Sequence, residues 1–181
     1  LEWLTWRFPC RVLVVKRNPY NIISSWLNLG WRPLDIEAHP KANERLIEPH
    51  GLPPFPRGAS DLAGVAWEVG LLTTVLDRWC AAHPEWLTIV HEDLCTAPLE
   101  GFRQLCEATG FVWNDVSDRY LQDSNATGSG YETKRVAAEE PERWRKRLTS
   151  PQAQEIKAVL SEFPRTTAPS PGASQAGEPL S

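Results

Sequence analysis

Residues 10–31 constrain the fold of this chain more than any other stretch. An unbroken apolar run, Val-Leu-Val-Val at 12–15, ends at Lys16-Arg17. A β-branched run of this kind is typical of a parallel strand that is buried on both faces. Asn18 is a favourable N-cap and Pro19 suits the first helical position. We therefore predict that a helix begins where the strand ends.

The junction between this strand and its helix has the composition of an anion site. A helix N-terminus offers unpaired N–H groups and a partial positive charge. Arg17 lies beside it and adds a planar set of donors. Ser25, seven residues after Asn18, offers a hydroxyl two turns into the helix. We predict an anion site at the sheet edge where open α/β sheets bind ligands; the alternative is an ordinary junction with an exposed arginine.

A second buried strand is predicted at 86–91, after a long helix over 60–83 whose apolar residues recur at three- and four-residue steps. More than a dozen residues separate the two strands, so we expect parallel pairing through a right-handed crossover. Glu92 and Asp93 follow the second strand, and such a carboxylate pair could do acid–base work. Further helices are predicted at 97–109, 115–121 and 151–163, and the Pro-, Ser- and Gly-rich residues 164–181 are expected to form a disordered tail.

Residues 32–60 form a long connection that contains six prolines. Proline restricts both itself and the preceding residue, so we expect little regular structure here. A connection of this length inside a domain is usually functional or mobile, which suggests a lid or a substrate loop. His39 and His50 fall in it; either could act as a base, although a lone loop histidine is more often simply solvated.

Composition limits the possible partners. The 181 residues suit one domain, and the net charge of −4 argues against a general nucleic-acid binder. No apolar run approaches the ~20 residues of a membrane span. The four cysteines are far apart and form no CxxC pair, which indicates buried thiols, no metal ligand set and a reducing, cytoplasmic compartment. The chain starts at Leu1 and lacks methionine, which suggests a fragment or a processed chain.

Four segments of the chain together resemble sulfotransferases, the enzymes that use 3′-phosphoadenosine 5′-phosphosulfate (PAPS) as sulfuryl donor. They are Arg17-Asn18-Pro19 with Ser25, Glu92-Asp93-Leu94, the polar loop 124–135, and Trp-x-x-x-Leu-Thr at 144–149, predicted to be helical. The resemblance runs from about 8 to 163 and is greatest to bacterial members. It implies an α/β fold of the P-loop NTPase-like type, with residues 1–163 forming a partial sulfotransferase domain whose incomplete parallel sheet is flanked by helices.

The resemblance also implies roles for particular residues. Arg17 and Ser25 match the arginine and serine that hold the 3′-phosphate of PAPS, the co-substrate. Arg135 and, less closely, Lys134 match the basic loop that closes over this phosphate. The match departs from the family pattern because the usual Arg-Lys-Gly triplet is absent and the basic pair lies further from Trp144. In the family the acidic pair that matches Glu92-Asp93 mainly organises the neighbouring loop and helix.

The chain lacks two parts of the family pattern. Sulfotransferases carry a Pro-Lys-x-Gly-Thr-Thr-like loop that binds the 5′-phosphosulfate, and a base ahead of the arginine strand; neither occurs here. The resemblance therefore implies the C-terminal part of an enzyme that transfers a sulfuryl group to a hydroxyl or amine of a small-molecule or glycan acceptor. No catalytic residue is assigned, and the chain alone is expected to be inactive.

Two alternatives remain open at the level of sequence. The chain could be a catalytically silent, sulfotransferase-like interaction module, which predicts a sizeable exposed apolar patch and no nucleotide binding. It could also be part of a P-loop small-molecule kinase, although the Gly-x4-Gly-Lys-[Ser/Thr] pattern is absent from the chain.

Overall fold

Two parallel strands form the sheet of this fold. In the computed structural model, which describes residues 2–34, 39–127 and 136–164, strand β1 (Leu13–Lys16) pairs in register with strand β2 (Leu87–Val90), so that Leu13 lies opposite Leu87. The predicted parallel crossover is confirmed. The rest of the described chain is mostly helical, and the architecture is α/β with a small two-stranded parallel sheet flanked by helices.

Eight α-helices and several tighter turns make up the rest of the described structure. The α-helices are α1 (Glu2–Arg7), α2 (Pro19–Asn28), α3 (Pro40–Ala42), α4 (Asp61–Ala82), α5 (His91–Thr96), α6 (Pro98–Thr109), α7 (Asp115–Ser124) and α8 (Ser150–Ser161). A π-helical turn (Asn43–Ile47) and 3₁₀ turns (Glu48–His50, Ala137–Glu139 and Arg143–Lys146) complete the described structure. Within it, no helix has the length and apolarity that crossing a bilayer requires.

Side-chain caps define where the main helices begin. Asn18 Oδ1 accepts a hydrogen bond from the Tyr20 amide at 2.9 Å, which confirms the predicted start of α2. Ser60 caps α4 in the same way, through the amide of Ala63 at 3.0 Å. Thr149 caps α8, because it exchanges hydrogen bonds with Gln152 in a capping box.

The long helix α4 organises the core. One cluster of buried residues joins it to α2 and α8; its members are Ile23, Val65, Ala66, Val69 and Ile156. A second cluster joins α4 to the proline-rich connection and the end of α8; its members are Ile47, Leu52, Trp67, Leu71, Val75 and Phe163. The core is therefore centred on α4, which is buried continuously over residues 63–71 and packs against α2 and α8.

Strand β1 is buried on one face only, which corrects the prediction of burial on both. Val14 is 5% exposed, whereas Leu13 and Val15 are 40% and 51% exposed. Successive side chains of a strand point to opposite faces of the sheet. Within the described residues, the helices cover the face that carries Val14 and leave the opposite face open.

The proline-rich connection is more regular than the sequence predicted. Residues 40–50 form successive helical turns, since Pro40 and Pro49 both occupy first-turn positions, where proline is tolerated. Ile47 and Leu52 are buried in the core, and the indole Nε1 of Trp67 donates to the carbonyl of Pro53 at 3.0 Å. The expectation of an irregular stretch is wrong for 40–50. Trp144, predicted to start a helix, lies instead in a single 3₁₀ turn.

A substitution at Gly70 tests the packing of α4 against the end of α8. Alanine in a helix interior normally stabilises by about 1 kcal/mol over glycine. Here a Cβ would lie 2.5 Å from the ring of Phe163, and overpacking costs about 1–3 kcal/mol. We expect Gly70→Ala to lower the free energy of unfolding, measured by urea denaturation.

The matched control for this prediction is the double variant Gly70→Ala/Phe163→Leu. The smaller side chain should relieve the clash, so that the alanine costs less in this background than in the wild type. An increase in stability on Gly70→Ala alone would contradict the described packing.

Candidate functional site

Arg17 lies at the carboxyl end of β1 and forms a partly buried ion pair. Its Nη2 donates to Oε2 of Glu140 at 3.2 Å, and Oε1 of the same carboxylate accepts from Nη1 of Arg143. Glu140 is only 8% exposed. The Nε of Arg17 is buried and has no hydrogen-bond partner among the described residues. One donor of this guanidinium therefore has no partner in the described part of the chain, whereas Nη2 is already paired with the carboxylate of Glu140.

The predicted helix-terminus donors also contact a carboxylate of the chain itself. The Asn18 amide donates to Oε1 of Glu92 at 2.9 Å, and Asn21 Nδ2 approaches the same oxygen at 3.3 Å. The positive end of a helix favours a negative charge, which explains why Glu92 lies there. These contacts agree, for Glu92, with the organising role that the resemblance implied for the acidic pair.

Asn21 connects α2 to the segment that follows the predicted basic loop. Its side chain is buried, with the residue 2% exposed. Nδ2 donates to the carbonyl of Pro141 at 3.0 Å, and Oδ1 accepts from the Trp144 amide at 3.1 Å. The rings of Tyr20 and Trp144 lie beside this contact, with centroids 4.7 Å apart. Sequence reasoning missed Asn21, because Pro141 and Trp144 are more than a hundred residues away from it and no local pattern reports such contacts.

A cavity of about 260 Å³ lies next to the ion pair. Its walls combine apolar side chains with a few polar ones; they include Leu94, Phe102, Leu121, His91, Ser124 and Glu140. Such a mixture of apolar walls and few polar groups is typical of sites for small organic ligands. Glu140 belongs both to the cavity wall and to the ion pair with Arg17, so the two features form one site.

The imidazole of His91 and the thiol of Cys95 form a neutral pair in the cavity wall. Burial lowers the pKa of His91, and the positive charge of Arg17 adds to this effect against the opposing charges of Glu92 and Glu140. Burial raises the pKa of Cys95. The sulfur lies 3.6 Å from His91 Nδ1. Near neutral pH the pair therefore adds no net charge to the site.

The structure describes two of the four sequence-predicted site residues. Arg17 and Ser25 belong to the same strand–helix unit, and Ser25 is half-buried on α2, roughly 10 Å along the helix axis from Asn18. Lys134 and Arg135 lie outside the described residues. The Ala137 amide donates to Oδ1 of Asn125 at 2.8 Å. Residues 125 and 137, on either side of the undescribed segment, therefore meet beside the cavity.

The described charges at the junction cancel. Arg17 and Arg143 contribute two positive charges, and Glu92 and Glu140 contribute two negative ones. The sequence predicted an anion site on the basis of Arg17 and the helix terminus. The described part of the chain contains both elements, each already paired with a carboxylate of the chain.

The cysteines of this chain form no disulfide. All four thiols are free; Cys95 is buried as expected, whereas Cys10 is exposed, contrary to the expectation of buried thiols, because it lies in the segment before β1. Among the described residues, no group of three or more His, Cys, Asp or Glu side chains could hold a metal ion.

Comparison of the chain with protein-family models, with curated proteins and with solved structures found no match.

Removal of the Asn21 side chain tests the connection between α2 and residues 141–144. Asn21→Ala leaves the Pro141 carbonyl and the Trp144 amide without this partner. An unsatisfied buried polar group costs about 1–3 kcal/mol, so we expect a loss of that size in the free energy of unfolding by urea denaturation. Asn28→Ala, at the exposed end of α2, is the control and should change stability by less than about 0.5 kcal/mol. Equal effects of the two substitutions would contradict the described role.

The lowered pKa of His91 predicts a contribution to acid sensitivity. Below about pH 6.5 the unfolded chain binds a proton at this histidine more readily than the native chain, so stability falls as the pH falls. His91→Gln should therefore lose less stability than the wild type between about pH 7.5 and about pH 5.5, measured by urea denaturation at each pH.

The control for this titration is Glu68, whose pKa is raised, chiefly by burial. A raised pKa has the opposite sign: the native state holds this proton more tightly, so its contribution grows as the pH falls toward the ordinary range of a carboxyl. Glu68→Gln should therefore lose more stability on acidification than the wild type. The same slope in His91→Gln as in the wild type would show that His91 is not held neutral by the fold.

Proposed function

We propose that this chain binds the 3′-phosphate of PAPS, or of the product adenosine 3′,5′-bisphosphate, as the nucleotide-binding part of a sulfotransferase with a P-loop NTPase-like fold. The observation that carries the proposal is the position of Arg17. Its guanidinium lies at the carboxyl end of a parallel strand, directly before a capped helix, and keeps one buried N–H without a partner among the described residues.

The chemistry of this junction suits a phosphate group. Arginine matches phosphate oxygens with a planar fork of donors, and a helix N-terminus adds N–H groups that point toward an anion. Ser25 supplies a hydroxyl further along α2 in the proposal, and Lys134 and Arg135 add two positive charges. The four charged side chains described at the junction sum to zero, so these two cations would give the site a net positive charge.

The cavity beside Arg17 offers room for another part of the nucleotide. Its volume of about 260 Å³ is somewhat smaller than the roughly 300–1,000 Å³ of sites for whole ligands. It therefore suits one portion of the molecule, such as a planar base. Leu94 and Phe102 supply apolar walls, and His91 and Ser124 supply polar groups that can form hydrogen bonds with a heterocycle.

In the proposal, PAPS supplies the sulfuryl group that passes to a hydroxyl or amine of a small-molecule or glycan acceptor. This chain contributes binding and orientation of the nucleotide, which lower the barrier by positioning the reacting groups. The sequence contains no loop that resembles the 5′-phosphosulfate site, so no catalytic residue is assigned within it. The four free cysteines favour a reducing compartment, and the proposal includes a cytoplasmic location.

Titration of adenosine 3′,5′-bisphosphate tests this function. At 100 times its dissociation constant, the ligand should raise the free energy of unfolding of the wild type by about 2.7 kcal/mol. Arg17→Ala should abolish this increase, because it removes the proposed phosphate ligand. Arg119→Ala, which removes an exposed arginine on α7, is the matched control and should retain it.

Two further nucleotides define the specificity in the same assay. Adenosine 5′-monophosphate lacks the 3′-phosphate and should stabilise the chain less than the bisphosphate at equal concentration. A preference for ATP would favour the kinase alternative instead. A folded wild type that shows no stabilisation by the bisphosphate would contradict the proposed function.

The exposed apolar residues favour a protein-interaction module as the second candidate function. Leu13 and Val15 are exposed on β1, and Phe111 and Val112 are exposed just after α6. Nη1 of Arg11 donates to the Ala108 carbonyl at 3.3 Å, which brings the start of β1 close to the end of α6. Exposed apolar surface of this kind often marks a site of protein contact. This candidate predicts no stabilisation by any of the nucleotides.

A further inference from the structure

We propose that Glu140 competes with the nucleotide for Arg17 and so weakens binding at this site in the free chain. The inference rests on the proposed assignment of Arg17 to the 3′-phosphate and adds a regulatory contact to it. Glu140 Oε2 accepts a hydrogen bond from Arg17 Nη2 at 3.2 Å. A phosphate oxygen that binds the outer edge of this guanidinium needs the same donor.

The burial of Glu140 distinguishes it from its acidic neighbours. The side chains of Glu139 and Glu142 are 60% and 65% exposed and pair with Lys146 and Arg145 at the surface. The side chain of Glu140 is 11% exposed and turns inward onto Arg17. Of these three carboxylates, only Glu140 makes an ion pair with the proposed phosphate-binding residue.

Arg143 gives Glu140 a partner that does not depend on Arg17. Oε1 of Glu140 accepts from Nη1 of Arg143 while Oε2 accepts from Arg17. When a phosphate binds Arg17 in place of Glu140, the Glu140 carboxylate can remain paired with Arg143. It is therefore not left as an isolated buried charge, which would cost free energy. The exchange therefore replaces one carboxylate contact of Arg17 by a phosphate contact.

The charge balance explains why this contact should limit affinity. The four charged side chains at the junction, Arg17, Arg143, Glu92 and Glu140, sum to zero, and His91 is held neutral by burial. A phosphate dianion that enters beside Glu140 meets a like charge at close range, where partial burial weakens solvent screening. Glu140 also lines the cavity, so a ligand in the cavity lies against the same carboxylate.

Neutralisation of Glu140 tests the inference. We expect Glu140→Gln to bind adenosine 3′,5′-bisphosphate about tenfold more tightly than the wild type in isothermal titration calorimetry, equivalent to about 1.4 kcal/mol. Glutamine keeps the shape and one acceptor oxygen but removes the charge. Glu142→Gln removes the same charge at an exposed position two residues away and should leave the affinity unchanged, because exposed charges are screened.

A second pair of variants tests the role of Arg143 and serves if Glu140→Gln fails to fold. Arg143→Gln leaves Glu140 with Arg17 as its remaining arginine partner, so we expect severalfold weaker binding than in the wild type, whereas unchanged affinity would overturn the inference. In the Glu140→Gln background the same substitution should have little effect, because Arg143 acts through Glu140. An equal loss in both backgrounds would reveal a simple loss of positive charge and would also overturn it.

The outcomes separate the inference from the proposed function. Binding by the wild type that is unchanged or weakened in Glu140→Gln overturns the inference and leaves the nucleotide site in place. Binding that is detected only in Glu140→Gln supports both. Folded wild type and Glu140→Gln that both fail to bind the bisphosphate overturn the proposed function, and the inference with it.

Discussion

The ion pair between Arg17 and Glu140 joins two parts of the chain that are 123 residues apart. A buried carboxylate is tolerated only when charges and hydrogen bonds compensate the lost hydration, and Glu140 has Arg17 on one oxygen and Arg143 on the other. Asn21 reinforces the same junction from α2. The position of residues 137–146 against the sheet edge therefore depends on a small set of polar contacts.

This polar junction is compatible with two different uses of the same residues. A strand-end arginine next to a helix N-terminus is well suited to a phosphate, and its buried Nε lacks a partner among the residues that the structure describes, which is consistent with a ligand that is held by several donors. Glu92 and Glu140, however, already neutralise the two positive features that define the site. In an interaction module, the contacts of Glu92 and Glu140 would persist in every state of the protein. In a nucleotide site, a phosphate would replace at least one of these carboxylates. The charge on Glu140 is therefore the point at which the two functions differ physically.

Much of the fold could be predicted from the sequence, because local contacts decide it. Asn18 and Pro19 specify the start of α2, and the apolar periodicity of α4 specifies its length. The errors have equally physical causes. The apolar run of β1 resembles a strand covered on both sides, although its exposed face depends on which other elements pack there. The prolines of 32–60 led to the prediction of an irregular connection. Helical turns nevertheless form over 40–50, because proline is compatible with the first turn of a helix.

The sequence alone determined the two strands, the helices α2, α4, α6, α7 and α8, the cap at Asn18 and the presence of an arginine at the end of β1, since each of these depends on residues close together in the chain. The parallel pairing of the strands followed from the length of the connection between them. Only the tertiary structure decided what Arg17 contacts. Its partner Glu140 lies in a segment with no periodic pattern, and Asn21 binds backbone groups that carry no residue identity. Ion pairs and buried hydrogen bonds depend on distances of a few ångströms between remote residues, and these distances exist only after helices and sheet have packed around α4.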